Sequence, residues 1–383
     1  MPIPFEMIDW NSCTSSGQAF FIYSQEALQK RCDQMRKLFP GIELYYSVKS
    51  NPNLHLLRWM SSLVDGFDIS SQGELNLLLK LGVAPNRITY SGPGKSDLAI
   101  QSANEKKLKA LHIDSESELN YVTRLPRQMP LTLRLASSHP VATKLGFSKN
   151  EIGTILEKHS NQLFAGLHCY LGRESYSDDL MQETLNQMEH FFTQYPQSFI
   201  SDPQCFIGPG MPLSFSKQNC PKTIQTNRRM SFEIGRTLVG PIGLYAAPVL
   251  AHKTTDAGRD ILILEGGLQH LGSPFQSFRD KNMELKTWVI RDGKILKAPS
   301  TKSVSVYGSL CLWHDCLMPH LNVPSSVQRG DWLVFSDAGA YGLTAGVPYF
   351  IGQTLPREFG FTIDGKIFDF TNSKFKSYLD AII

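Results

Sequence analysis

The residues of this chain best suited to chemistry stand at the ends of short apolar runs. "YYSVKSNPN" (45–53) is a strand-type run that stops on Lys49 and breaks at once into Asn51-Pro52. Later runs end the same way: Asp68 in "GFDIS", Arg134 in "LTLRLA", His168 in "FAGLHCYL", Gly208 and Gly210 in "IGPG", and Glu233, Gly235 and Arg236 in "MSFEIGR". Taken singly, each is best read as a surface, turn or satisfied core residue; their recurrence at one kind of position is the signal. A partly desolvated lysine amine has a lowered pKa and becomes a nucleophile. Glycines let backbone N–H groups approach an anion, and a neighbouring arginine completes a phosphate pocket. An amine, a phosphate cradle, an imidazole that can lie on a flat ring and a carboxylate that keeps a ring nitrogen protonated together form the set that pyridoxal 5′-phosphate requires.

The elements that must position these groups follow from the periodicity. From about residue 25 to 245, apolar runs ("ELYYSV", "GFDIS", "RITYSG", "ALHID", "LTLRLA", "FAGLHCYL", "QCFIG", "MSFEIG") alternate with amphipathic stretches such as "NLHLLRWMSSL" and "QGELNLLLKLG". Eight strands with intervening helices predict an α/β fold, a parallel (β/α)8 TIM barrel, in which functional groups converge at the C-terminal strand ends. After 245 the texture changes to β-branched and aromatic runs with turn signals, as in "DILILEGG" and "DWLVFSD". The expected division is thus a barrel at 25–245 and an antiparallel β domain at 246–383, which "AFFIYS" in the segment 1–24 joins.

Composition limits the partners. The 383 residues are 42% hydrophobic and 19% charged, enough apolar material for a large core, and the formal charge is only +3. No basic run is long enough to track a phosphate backbone, so nucleic acid is not expected. No apolar segment reaches the roughly 18 residues of a membrane helix. "MPIPFEMIDWNSC" lacks the parts of a signal peptide, and the seven scattered cysteines form no CxxC pair, which points to no metal site and to a reducing cytoplasm.

These motifs resemble those of the fold-type III pyridoxal-phosphate decarboxylases, the alanine racemase-like group that includes ornithine, arginine and diaminopimelate decarboxylases. "YYSVKSN" is similar to the family's Y-A-V-K-A-N, and "FDISSQGEL" to D-[VC]-A-S-x-G-E-L; "YSGPGKSD", "HIDSESEL", "TKLGF", "GLHCYLG", "IGPG" and "FEIGRTLVG" also have counterparts. "YGSLCLWHD" resembles G-P-x-C-[DE]-x-x-D, and "SDAGAYG" resembles D-x-G-A-Y. The resemblance implies that Lys49 is the covalent cofactor lysine, that His168 stacks on the cofactor ring, and that Glu233 meets its nitrogen. It further implies a head-to-tail homodimer in which Cys311 enters the partner's site as proton donor and Tyr341 contacts the phosphate.

Departures from the family pattern bear on substrate. Pro209 replaces the middle glycine of the phosphate loop, Ile234 the proline of E-P-G-R, and "HCYLGRES" the serine-bearing H-x-G-S, where Gly172, Arg173 or Ser175 would have to substitute. The acid that follows the family cysteine is Leu312, and the carboxylate-binding arginine of diaminopimelate decarboxylases falls at Ser273. "EGGLQHL" is similar to enzymes of siderophore biosynthesis acting on citryl-diaminopropionate-type conjugates, with His270 and Arg173 as candidate contacts for an acidic substrate. The expected activity is removal of an α-carboxylate as CO2 from an amino acid or conjugated amino acid. The alternatives are an ornithine, lysine or diaminopimelate-type decarboxylase, an amino-acid racemase on the same fold, and a non-catalytic cofactor-binding or regulatory relative.

Overall fold

The computed structural model describes residues 5–126, 129–137, 145–213, 215, 224, 226–277 and 286–371. The chain divides into two compact units, Arg31–Thr237 and Met1–Lys30 with Leu238–Ile383. In chain order, α1 (Trp10–Thr14), β1 (Phe20–Ser24) and α2 (Gln25–Leu38) lead into the first unit. There β2 (Glu43–Ser47), β3 (Gly66–Ile69), β4 (Ile88–Tyr90), β5 (Ala110–Ile113), β6 (Leu131–Leu135), β7 (Phe164–Tyr170), β8 (Phe199–Gly208) and β9 (Met230–Ile234) form a closed parallel barrel, β9 pairing back onto β2. The expected TIM barrel is present. β3, β4, β5 and β6 are buried along their whole length, as parallel strands covered on both faces must be.

The helices α3 (Leu54–Ser61), α4 (Gln72–Lys80), α5 (Asp97–Lys106), α6 (Glu116–Val122), α7 (Lys149–Lys158) and α8 (Asp178–Gln194) follow successive strands from β2 to β7. Each begins with a polar cap at the end of its βα loop. Asn53 accepts from the amides of His55 and Leu56, and Ser71, Ser96, Ser115, Ser148 and Ser177 each accept from an amide three residues on. Such a cap satisfies an amide the helix leaves free and contributes about 1 kcal/mol. It also fixes where the loop at the barrel mouth ends.

The second unit is a ten-stranded sheet. β13–β12–β16–β10–β1–β17–β18 run side by side, while β11 joins β10 to β14 and β14 joins β15. These strands are β10 (Gly243–Thr254), β11 (Asp260–Leu264), β12 (Thr287–Arg291), β13 (Lys294–Ile295), β14 (Thr301–Tyr307), β15 (Cys316–Pro324), β16 (Trp332–Phe335), β17 (Arg357–Phe361) and β18 (Ile367–Asp369). The pairing is mostly antiparallel, with β1–β17 and β11–β14 parallel. The boundary differs from the expected 245. β10 is continuous from Gly243 and pairs β1 through Tyr23↔Gly243 to Phe20↔Ala246, so its first residues belong to this sheet. An aromatic cluster fills the core: Phe20 packs 5.6 Å from Trp332 and 5.4 Å from Phe359, with Phe5 and Trp10 beside them. Among the described residues no helix is long and apolar enough to cross a membrane.

Candidate active site

Lys49 sits just past β2, on a single 3-10 turn (Val48–Ser50). The Asn-Pro-Asn segment after it is pinned: Tyr46 donates its hydroxyl to the Asn51 carbonyl at 3.0 Å, and the Asn51 side chain accepts from the Asn53 amide at 3.0 Å. Gly235 is required opposite, because a Cβ there would lie 1.8 Å from Ser50 Oγ. The amine stands just past the C-terminal end of β2, about half-shielded from solvent. The side chain is 49% exposed, and its Nζ lies 3.9 Å from Asp68 Oδ2.

Two carboxyl groups inside the barrel have been driven apart. Asp68 is buried; its Oδ2 accepts from Ser47 Oγ at 3.3 Å, and its Oδ1 has no hydrogen-bond partner. Burial, with the nearby Glu233 carboxylate, pushes its pKa up to about 8 against the opposing pull of Lys49. For Glu233 burial also acts upward, but the imidazoles of His168 and His112 outweigh it and hold the carboxyl well below the usual range. Oε2 is 2.9 Å from His168 Nε2 and Oε1 is 3.0 Å from His112 Nε2. Burial lowers both imidazoles, His168 to about 4, so each is neutral at neutral pH. A carboxylate only accepts, so both rings carry the proton on Nε2. His112 Nδ1 then accepts from the Thr132 hydroxyl at 2.5 Å, whereas His168 Nδ1 is buried without a partner. The trio's ligand-type atoms lie within 4.8 Å of one another. The two rings are stacked at 4.3 Å and 24°, and each Nε2 is met by one oxygen of Glu233.

Arg134 enters a buried charge network. Its Nη1 donates to the Ser91 carbonyl at 3.0 Å and lies 3.3 Å from Asp114 Oδ2. Lys95 Nζ stands 3.6 Å from Asp114 and 3.2 Å from Glu118. The amide of Gly146, within the described part of "TKLGF" (Thr143 and Lys144 lie outside the described residues), donates to Asp114 Oδ1 at 3.0 Å. This network ties together the loops after β4, β5 and β6.

Further round the mouth, past β7, the "IGPG" loop lies hard against its neighbour. Gly210 has φ +63, and a Cβ there would meet the Gly172 carbonyl oxygen at 1.7 Å; one on Gly208 would meet the Tyr170 ring at 2.8 Å. Arg236 Nη1 pairs with Glu174 Oε1 at 2.5 Å, and Arg173 Nε is 3.7 Å from the same oxygen. Glu174 itself has φ +54. The carboxylate beside Arg236 has no precursor in the sequence reading, which looked to Gly172, Arg173 or Ser175 in this loop.

The remaining candidates lie in the β unit. Cys311 is exposed and Leu312 half-buried, on a loop pinned by the buried Asp315, whose oxygens accept from the amides of Leu268 and Leu310 at 2.8 Å each. Tyr341 adopts φ +52 and is half-buried. His270 requires a correction: it is fully buried, with Nδ1 2.8 Å from the Tyr245 hydroxyl and Nε2 2.8 Å from the Thr354 carbonyl. Both nitrogens are used, and burial lowers its pKa, so it offers no charge to an acidic substrate. The side chain of Ser273 lies outside the described residues. His112, read only as part of a strand, was missed. A lone imidazole inside the apolar run "ALHID" is the signal that could have exposed it, since such a strand position faces either packing or the barrel interior.

A lysine-bearing parallel barrel whose interior holds an ionised carboxylate between imidazoles, joined to a mostly antiparallel β unit, defines a class of pyridoxal-dependent folds. The residues suit the cofactor: an amine, an arginine beside a glycine cradle, an acceptor-only carboxylate, and buried polar atoms on Asp68 and His168 that lack partners. The family described as pyridoxal-dependent decarboxylase, pyridoxal binding domain, matches residues 25–224. The chain is 24% identical to the diaminopimelate decarboxylase of Aquifex aeolicus, over 87% of this chain and 84% of that one. It is also 24% identical to the L-glutamyl-[BtrI acyl-carrier protein] decarboxylase of Niallia circulans, over 88% and 87%. The lysine/ornithine decarboxylase of Vibrio vulnificus complexed with putrescine superposes with a TM-score of 0.81 at 18% identity, covering 95% of this chain and 99% of that one. The chain belongs to the pyridoxal-dependent decarboxylases, and its cofactor is pyridoxal 5′-phosphate.

Proposed function

We propose that this decarboxylase removes the α-carboxylate of an amino acid whose distal end is masked by conjugation, as in a citryl-diaminopropionate-type siderophore intermediate. The observation that carries this reading is the 308–315 loop. Leu312 replaces the acid that would meet a distal ammonium, and the loop's own carboxylate, Asp315, is spent on two backbone amides. A free ammonium brought against Leu312 would lose its hydration without a partner, at a cost of several kcal/mol. The relative named for a glutamyl-carrier protein substrate supports a conjugate. With His270 internally bonded, Arg173 is the remaining basic candidate for an acidic group.

When bound, the cofactor supplies an electron sink for the carbon that loses CO2. Lys49 would be its covalent attachment point, Glu233 would accept from its ring nitrogen, and His168 would pack on its ring. Asp68 and Arg134 would be its neighbours on β3 and β6, and Gly208, Gly210, Gly235 and Arg236 would hold its phosphate, a role that the family resemblance alone extends to Tyr341. Cys311 of a second copy, in a head-to-tail homodimer, donates the proton that replaces CO2; its exposure, and that of Trp313 (90%), suits a loop that docks elsewhere. Free cysteines throughout the described residues suit a reducing cytoplasm.

The test is the ratio of kcat/KM for an acidic conjugate to that for free ornithine, lysine and meso-diaminopimelate. Ratios above about tenfold are expected; equal or faster turnover of any free amino acid rejects the conjugate reading.

A further inference from the structure

His112 is buried in β5 and reaches three partners. Its Nε2 lies 3.0 Å from Glu233 Oε1, its Nδ1 2.5 Å from the Thr132 hydroxyl, and its ring is stacked 4.3 Å from that of His168. The Phe206 ring packs against the His112 ring, tilted, at 5.0 Å. Thr132 faces His112 in register on β6, so the hydroxyl is delivered by the strand pairing itself. We propose that His112 is a positioning residue that holds Glu233 and His168 together, using Thr132 to fix its own tautomer.

One ring edge binds a carboxylate oxygen while one ring face supports His168, so a single side chain fixes the two groups assigned to the cofactor's nitrogen and ring. If the proton moved to Nδ1, Nε2 would present a lone pair to Glu233 and repel it. The Thr132 hydroxyl opposes this by donating to Nδ1. An outer partner of this kind typically tunes a site by about tenfold to a hundredfold. The charged and titratable groups facing the pair are His168, Lys95 and Arg134 around His112, and Asp68 and Tyr45 around Glu233. The inference rests on the proposed role of Glu233, and the experiment separates the two.

The experiment compares His112→Phe, His112→Gln, Thr132→Val and Glu233→Gln in the full chain. Apoprotein carrying 13C-carboxyl glutamate is titrated by NMR, with Glu233→Gln assigning the resonance, and kcat is followed against pH in the loaded enzyme. In His112→Phe the Glu233 resonance should titrate at higher pH than in wild type, and kcat should fall about tenfold to a hundredfold with KM nearly unchanged. His112→Gln, which keeps a donor near Nε2, should recover most of both. Thr132→Val should lower kcat about threefold to tenfold, and it decides the matter alone should His112→Phe fail to fold. An unmoved Glu233 resonance with unchanged kcat in the folded variants overturns the proposal. Full activity in Glu233→Gln instead overturns the role of Glu233 itself.

Discussion

The centre of the barrel and the centre of the β unit are built from opposite materials. β5, β6, β7 and β9 turn His112, Thr132, His168 and Glu233 inward, whereas the β unit fills its core with Phe5, Trp10, Phe20, Trp332 and Phe359. The aromatic core gains from every surface it buries. The polar centre does not: it desolvates a carboxylate and leaves Asp68 Oδ1 and His168 Nδ1 without partners, each such atom costing about 1–3 kcal/mol. The difference shows where stability has been given up, and it makes the two regions respond differently to substitution.

The largest effect falls in the β unit. Phe20→Ala should lower unfolding stability by about 3–5 kcal/mol in a urea titration. A loss below 1 kcal/mol would mean that the aromatic cluster is not the unit's core. Next, Glu233→Gln should reduce kcat by about a hundredfold to a thousandfold, while costing the apoprotein about 1–3 kcal/mol, less than Phe20→Ala, because the introduced amide N–H would face an imidazole N–H. A loss as large as that of Phe20→Ala would make Glu233 a structural residue and erase the contrast.

The third effect is one of pH. His168, at about 4 when folded and near 6.5 when unfolded, contributes stability that is complete above pH 6.5 and is lost as pH falls toward 4. Asp68 runs the other way: raised from 3.8 to about 8, its contribution is complete below 3.8 and is lost as pH rises toward 8. Apoprotein Asp68→Asn should therefore gain on wild type between pH 5 and 8, by more than about 1 kcal/mol in parallel urea titrations. A constant difference across that range would place Asp68 in water, not in the barrel. Smallest of all, Ser115→Ala should cost about 1 kcal/mol, since it removes one helix cap and touches neither centre.

The barrel was legible because its strands are short, apolar and separated by capped helices, so the polar residues at their ends could be picked out one by one. The boundary near 237 was not, because no linker signal marks it and only the packing of the folded β unit, including the pairing of β10 with β1, claims the residues after it. The position of Lys49 at a strand end could be read, but not its exposure, which depends on a turn rather than on the strand. His112 and His270 show the same limit from two sides. Thr132 and Glu233 stand 20 and 121 residues from His112, and the partners that occupy His270 stand 25 and 84 residues away. Sequence spacing marks a histidine as chemically able, and only the fold decides whether its nitrogens are free.

The central claim is that the cofactor is held at the mouth on Lys49. Borohydride reduction of the loaded protein, followed by peptide mass spectrometry, tests it most directly. The expected result is loss of the visible band and one cofactor mass per chain on the peptide containing Lys49, with none in Lys49→Ala. A label on another lysine, or a protein that takes up no pyridoxal 5′-phosphate, would contradict it.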